Sequence, residues 1–350
     1  MNCLKLSLIF LLYAIAGAVK LSTDRCGSGY GKCDSGYCCS KYNWCGTSSD
    51  HCGSGCQSKY GKCGTSSSTS TSTSTSTSTS SGGNLEYVGF RFSEGGVKEA
   101  YGSIPSGDSW VSYVDKFKGH FNSDAKGTVI VIVSTYLDNG QISFGFKAPS
   151  GYSSNSKITY SSSDKFESIL NKFDSKEIKV WLQVEPGHND LVDLAKIVFT
   201  KYKHHKCVQG FGVDLEWWKP NGDGYGSKID NSQAKELVKY VQSVKSTYTV
   251  FLKHWEQDYM PSSYRNGLIF VDDSQKFTSL KDAKDEFREW AQKFSSNPVM
   301  FQIGYEDDTK FWGSNPISFA KAIRDEVTKV NKHAGLIWVD FTMKTALKKM

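Results

Sequence analysis

Beyond its first residues the chain has no apolar run approaching the about 20 residues that a membrane span requires, so no membrane partner is expected. It also has no Asn-x-Ser/Thr sequon, and therefore no acceptor for an N-linked glycan. Charge of one sign is scarce: a net +6 over 350 residues comes from scattered lysines. No nucleic-acid-binding motif accompanies them, which excludes a nucleic-acid partner. No glycine-rich phosphate loop follows the first predicted strand, and no cofactor is expected. After Cys63 only one cysteine remains. That residue, Cys207, sits at the entrance of an apolar run with no catalytic partner nearby, and reads as a buried, inert thiol. His204 and His205 lie in the basic cluster Lys201–Lys206 with no ligand-spaced acids beside them, so the cluster reads as a solvated helix end and no metal site is expected.

What is abundant is local. Eight of the ten cysteines fall between Cys26 and Cys63, spaced Cys26-x6-Cys33-x4-Cys38-Cys39-x5-Cys45-x6-Cys52-x3-Cys56-x6-Cys63. So short a segment cannot bury enough apolar surface to hold a fold and must be stapled covalently. Spacing alone leaves 105 pairings of eight cysteines open. Zinc fits poorly, because the Cys38-Cys39 doublet has few acids or histidines around it. Upstream, Lys5, the apolar run Leu6–Ile15 and Ala16-Gly17-Ala18 read as a secretory signal over residues 1–18, implying an exported, disulfide-permissive setting.

The cysteine segment, residues 24–63, resembles the hevein-type chitin-binding module, through Cys38-Cys39-Ser40-Lys41-Tyr42-Asn43-Trp44-Cys45-Gly46 and Gly55-Cys56-Gln57. The resemblance implies the pairing Cys26–Cys39, Cys33–Cys45, Cys38–Cys52 and Cys56–Cys63. It also implies that N-acetylglucosamine units, and hence chitin, are bound by Ser40, Tyr42, Trp44 and His51. His51 stands where the family usually has Tyr and offers a smaller stacking surface. The chemistry agrees: a pyranose presents a flat C–H face, and Tyr42 and Trp44 are stiff apolar plates.

From Thr65 to Ser81 the sequence is almost pure Ser/Thr, with nothing to bury, and residues 64–84 read as a linker. Residues 85–350 suffice for one large domain. Short β-branched or aromatic runs alternate with helical stripes such as Leu191/Leu194/Ala195/Val198/Tyr202 and Phe319/Ile323/Val327/Val330. The predicted strands are 87–92, 128–134, 179–184, 210–215, 248–253, 268–271, 299–303 and 336–341. Strands apolar on both faces alternating with helices call for a parallel sheet. Eight units predict an α/β fold, a (β/α)8 TIM-like barrel, with an open doubly wound sheet as the competitor.

In such a barrel chemistry sits at the carboxyl ends of the strands. Those ends carry Glu185, Asp214 and Glu216, Lys253-His254-Trp255, Asp272-Asp273, Gln302 to Glu306, and Trp338 with Asp340. Asp214-x-Glu216 stands out: two residues apart on a strand, both carboxyls point into the mouth, and crowding raises the pKa of one into general-acid range. The stretch Gln209–Glu216 is similar to the fourth-strand Asp-x-x-Asp-x-Asp-x-Glu motif of glycoside hydrolase family 18. It keeps the last Asp and the Glu, with Gln209 and Gly212 in place of the first two acids. The resemblance implies Glu216 as general acid, Asp214 orienting the substrate's 2-acetamido group, and Trp338 as the floor of the cleavage subsite.

The expected function is that of a secreted, monomeric chitin-binding protein, extracellular or wall-associated, whose barrel hydrolyses chitin or a related wall polysaccharide. Glu185 and Glu306 are reserve carboxyls for an ordinary retaining scheme. The alternative is a non-catalytic, lectin-like barrel anchored to chitin.

Overall fold

The computed structural model describes residues 25–28, 30–33, 35–41, 43–46, 49–52, 55–63, 82–137, 139–221, 224 and 226–350. The signal reading, Tyr42 and nearly all of the linker lie outside them. The chain divides into two compact units, split between Ser78 and Thr79.

The first unit is held by four disulfides, Cys26–Cys39, Cys33–Cys45, Cys38–Cys52 and Cys56–Cys63. They bracket a two-stranded antiparallel ribbon, Cys38–Cys39 against Cys45–Gly46, and a one-turn helix, Ser49–Cys52. Its buried cluster is Cys26, Cys39 and Cys45 with Tyr37 and Tyr60 packed against them, so sulfur fills the space that aliphatic side chains occupy in larger folds.

The second unit is a closed barrel of eight parallel strands. These are β1 (Tyr87–Phe92), β2 (Lys126–Ile132), β3 (Lys179–Val184), β4 (Val208–Asp214), β5 (Thr249–Lys253), β6 (Leu268–Asp272), β7 (Val299–Ile303) and β8 (Ala334–Trp338). Each pairs with its neighbours in chain order and β8 closes onto β1, which excludes the open doubly wound sheet. The β2–β3 connection carries a small extra sheet, Ser134–Tyr136, Ile142–Phe144 and Ile158–Tyr160. Among the described residues no helix is long and apolar enough to cross a membrane.

Side chains alternate along each strand, and the two sets do different work. The outward set packs on the surrounding helices; the inward set, Tyr87, Ile130, Trp181, Phe251, Ile269, Val271, Met300 and Ile337, fills the barrel. Two residues further on, the same inward parity delivers Gln183, Lys253, Asp273 and Gln302 at the carboxyl ends. Arg91 and Asp214 share this parity on β1 and β4. The floor is therefore apolar and the mouth polar.

Of the strands whose bounds differ from expectation, two bear on the site. The eighth strand is Ala334–Trp338 rather than 336–341, because Asp340 instead opens the helix Asp340–Leu347. Its carboxylate is drawn to Arg91, accepting from Nε at 2.9 Å and Nη2 at 2.6 Å, and also accepts from the Ser93 backbone N–H. Likewise β4 ends at Asp214, and Leu215–Trp217 turns as a 3-10 helix, so Glu216 is carried by a turn and not by the strand.

Candidate active site

The mouth is organised by a buried lysine. Lys253 Nζ lies 3.0 Å from Asp214 Oδ2 and 3.8 Å from Glu216 Oε2, and donates to Asp273 Oδ2. Gln183 Nε2 adds a hydrogen bond of 3.1 Å to Asp214 Oδ2. Lys253, Asp214 and Asp273 are all less than 5% exposed. The turn that carries Glu216 off the strand thus still brings its carboxyl to the same cation as Asp214.

Protonation follows from this crowding. Burial raises the Asp214 carboxyl well above its usual range; Lys253 opposes the rise, while Glu216 and Asp273 add to it. Glu216 is also raised, first by burial, against Lys253 and with Asp273. Lys253 is held protonated by Asp214 and Asp273 in spite of its burial. Burial and the crowding of three carboxylates around one ammonium thus raise Asp214 and Glu216 together. At the end of β3, the half-buried Glu185 is pushed up to about 7 by burial, with Glu216 contributing, while the Tyr136 N–H donates to its Oε2 at 2.6 Å and opposes the rise.

Around this cluster several buried polar atoms have no hydrogen-bond partner: Gln183 Oε1, Asp214 Oδ1, Asp273 Oδ1 and Gln302 Nε2. They come from β3, β4, the end of β6 and β7, and share the inward parity of the mouth. Gln302 Oε1 takes the Tyr305 hydroxyl at 3.0 Å and Arg91 Nη1 at 3.5 Å, which leaves its amide nitrogen free to donate. Buried polar groups are ordinarily satisfied, so these four atoms are hydrogen-bonding capacity in the mouth that water or a ligand can take up. A cleft of about 790 Å³ opens beside them, lined by Glu216, Trp255, Glu256, Asp273, Gln275 and Phe277 among others. That volume lies in the usual range of small-molecule sites.

Gly212 explains the shortened acid series. A Cβ there would lie 2.1 Å from Phe251 Cζ, so the Phe251 ring occupies the space that an acid at 212 would need. The charge partner of Asp214 is Lys253, two residues beyond that ring on the same strand.

Trp338 is not in the mouth. It belongs to the outward set, is fully buried, donates from Nε1 to Thr342 Oγ1 at 2.9 Å and packs edge-on against Trp312. It cannot form the floor of a sugar subsite. Of the pair after Glu216, Trp218 is core, donating to the Asn189 carbonyl, whereas Trp217 lies against Tyr136 at the rim with Lys219 over both rings. Glu306 is exposed in a short 3-10 turn. Lys253, Asp273 and Arg91 are the residues that the motif search did not rank; only barrel parity singles them out.

In the small unit Trp44 is 43% exposed and the Arg25 guanidinium lies 4.6 Å from its ring. Tyr30, absent from the expected set, is 55% exposed beside the same arginine. Ser40 is only 3% exposed, and its Oγ accepts from the Trp44 N–H at 3.2 Å, so it fixes the tryptophan's backbone. The His51 ring is half-buried and lies against Gly46, where a Cβ would meet it at 2.6 Å. Tyr42 is outside the described residues.

Residues 25–63 match the family model described as chitin recognition protein. Chitinase 9 of Oryza sativa subsp. japonica is 46% identical over 56 residues, 15% of this chain and 17% of that protein. A chitin deacetylase of Pestalotiopsis sp is 49% identical over 41 residues, 11% of this chain and 14% of that protein. The chain thus spans less than a fifth of the length of these relatives. Among solved structures, a Parabacteroides merdae β-glucuronidase aligns with 73% of this chain and 31% of its own at 12% identity and a TM-score of 0.42. A Fusarium oxysporum 4-O-α-L-rhamnosyl-β-D-glucuronidase aligns with 78% and 67% at 9% identity and a TM-score of 0.44. Similarity at that level is uninformative about chemistry. The chain carries, at residues 25–63, a hevein-type chitin-binding module, followed in sequence by an eight-stranded parallel barrel of the TIM kind.

Proposed function

We propose that the barrel is a glycoside hydrolase acting on chitin or a related wall polysaccharide, in a secreted protein that the module docks on chitin. The observation that carries this reading is the gathering of Asp214 and Glu216, both with raised proton affinity, around Lys253 at the edge of the cleft. Glu216, the member that lines the cleft, protonates the glycosidic oxygen as the bond to the anomeric carbon breaks. Glu216 is left with the negative charge, which Lys253 stabilises from 3.8 Å, while Asp214 is held by Lys253 and Gln183. The unpartnered Oδ1 of Asp214 is an acceptor for an acetamide N–H, and holding that group lets the substrate's own carbonyl oxygen attack the anomeric carbon, the substrate-assisted route. Aromatic faces for pyranose rings stand on both sides, Trp255 in the cleft and Trp217 with Tyr136 at the rim.

Glu185, whose carboxyl feels the charge of Glu216, supports a second scheme, in which its ionised form is the nucleophile of an ordinary retaining hydrolase acting on a glycan that lacks the acetamido group. Reducing-end release from colloidal chitin, β-glucans and xylan, measured for wild type, Glu216→Gln and Glu185→Gln, separates the two. Chitin cleavage lost only in Glu216→Gln supports the first scheme. Cleavage of another glycan lost in both supports the second. Chitin pull-down without hydrolysis of any polymer leaves a lectin-like, wall-anchored barrel.

A further inference from the structure

We propose that Glu167, His204 and His205 form a divalent transition-metal site, of zinc type, at the end of the barrel opposite the mouth. The site lies just ahead of the first residue of β4, between the helices Glu167–Ser175 and Leu191–Tyr202. His204 Nε2 is 3.1 Å and His205 Nε2 is 3.4 Å from the same oxygen, Glu167 Oε1, and the three ligand atoms lie within 4.8 Å of one another. Tetrahedral coordination with bonds of about 2.0–2.1 Å places ligand atoms roughly 3.3 Å apart, so the separations of 3.1 and 3.4 Å need little adjustment.

The second observation is the state of His205. Its side chain is fully buried, and Nε2 has no hydrogen-bond partner. Its other nitrogen, Nδ1, is 2.8 Å from Asp174 Oδ2. Donation from Nδ1–H to that carboxylate leaves the lone pair on Nε2, facing Glu167; a carboxylate behind a metal-binding imidazole is the usual arrangement for fixing the tautomer. Asp174 is itself held, accepting from the Cys207 N–H at 2.6 Å. Glu167 and Asp174, seven residues apart, occupy one face of their helix and bracket the imidazole.

Charge points the same way. In contact, the cluster holds the carboxylates of Asp164, Glu167 and Asp174 against one ammonium, Lys201, which lies on the far side of Glu167 at 3.5 Å from Oε2. One divalent cation, held between two imidazole rings whose centroids are 4.2 Å apart, balances the excess. The ligand set, two histidines and one glutamate, suits zinc and leaves a fourth position for water. Adjacent acids in sequence gave no hint of this, since Glu167 arrives from 37 residues away.

The test is calorimetric titration of the chelator-stripped full-length protein with Zn²⁺ at neutral pH, with thermal unfolding measured in parallel. The module's eight cysteines are closed in disulfides and offer no competing thiolates. One zinc per chain is expected, with a melting temperature raised by several degrees when zinc is about 100-fold above its dissociation constant. His204→Gln, at a side chain 56% exposed and so without structural cost, and Glu167→Gln should each abolish both effects. His333→Gln, remote in sequence and paired with Glu86, should keep them. No heat and no thermal shift in the wild type, or binding that survives both site substitutions, would overturn the proposal.

Discussion

Replacing Glu185 by glutamine should stabilise the protein by an amount that grows as pH rises from about 4.5 and is complete above about 7. The wild-type carboxyl has its pKa raised from 4.5 to about 7 in the folded chain. Between those values the native state holds a proton that the unfolded chain has released, so stability falls as pH rises through that window. At about 1.4 kcal/mol per pH unit, the folded protein at pH 8 carries a penalty of up to roughly 3 kcal/mol for ionising this group. Glutamine never ionises, keeps the shape, and still offers an oxygen to the Tyr136 N–H. Scanning calorimetry should therefore show coincident transitions at pH 4.5 and a barrel transition raised by roughly 5–10 °C at pH 8. Equal differences at both pH values, or a variant less stable at pH 8, would refute the assignment of a buried, proton-holding carboxyl. A gain in stability on deleting a carboxyl is also what a functional site yields.

Lys253→Met should destabilise the barrel by about 3–5 kcal/mol in denaturant titration, since it leaves Asp214 and Asp273 buried without their cation. Because Lys253 opposes the rise of both Asp214 and Glu216, the folded fraction of that variant should keep its general acid protonated to higher pH, and the alkaline limb of its pH–rate profile should move up. Trp338→Ala should cost about 3–5 kcal/mol in stability while leaving KM unchanged below the unfolding transition, the opposite of what a subsite floor would show. Trp44→Ala should weaken binding to chitin by about tenfold or more, equivalent to about 1.4 kcal/mol, without moving the barrel's thermal transition.

The small module was legible because its order is covalent: an array of eight cysteines is readable without knowing any packing. In the barrel, β1, β3 and β7 occupy the residues that their β-branched and aromatic runs mark, and the helical stripes fall inside the observed helices except for Val330, which lies in the turn after Pro316–Val327. The side to which a strand residue points was not legible. Strands buried on both faces show no alternation, so nothing in Leu336-Ile337-Trp338 says that Ile337 faces in and Trp338 faces out. Glu216 was found for a partly mistaken reason, since a turn and not a strand delivers it. In the sequence Lys253 reads, with His254 and Trp255, as one of several strand-end groups for substrate hydroxyls; its pairing with Asp214 and Asp273 is not legible, because they come from other strands and only closure of the barrel gathers them.

The contact between Gly212 and Phe251 also separates two ways of building such a site. An acid at 212 and a ring at 251 are mutually exclusive occupants. Introducing the acid first drives it into the ring; removing the ring first opens a cavity costing about 3–5 kcal/mol, a large part of the about 5–15 kcal/mol that holds a typical domain together. A continuous acid series and this lysine-centred cluster are therefore separate peaks with a valley between them, not neighbours one substitution apart. On this scaffold proton affinity is set by Lys253 and the carboxylates around it, which stand in the mouth and leave the apolar filling of the barrel in place.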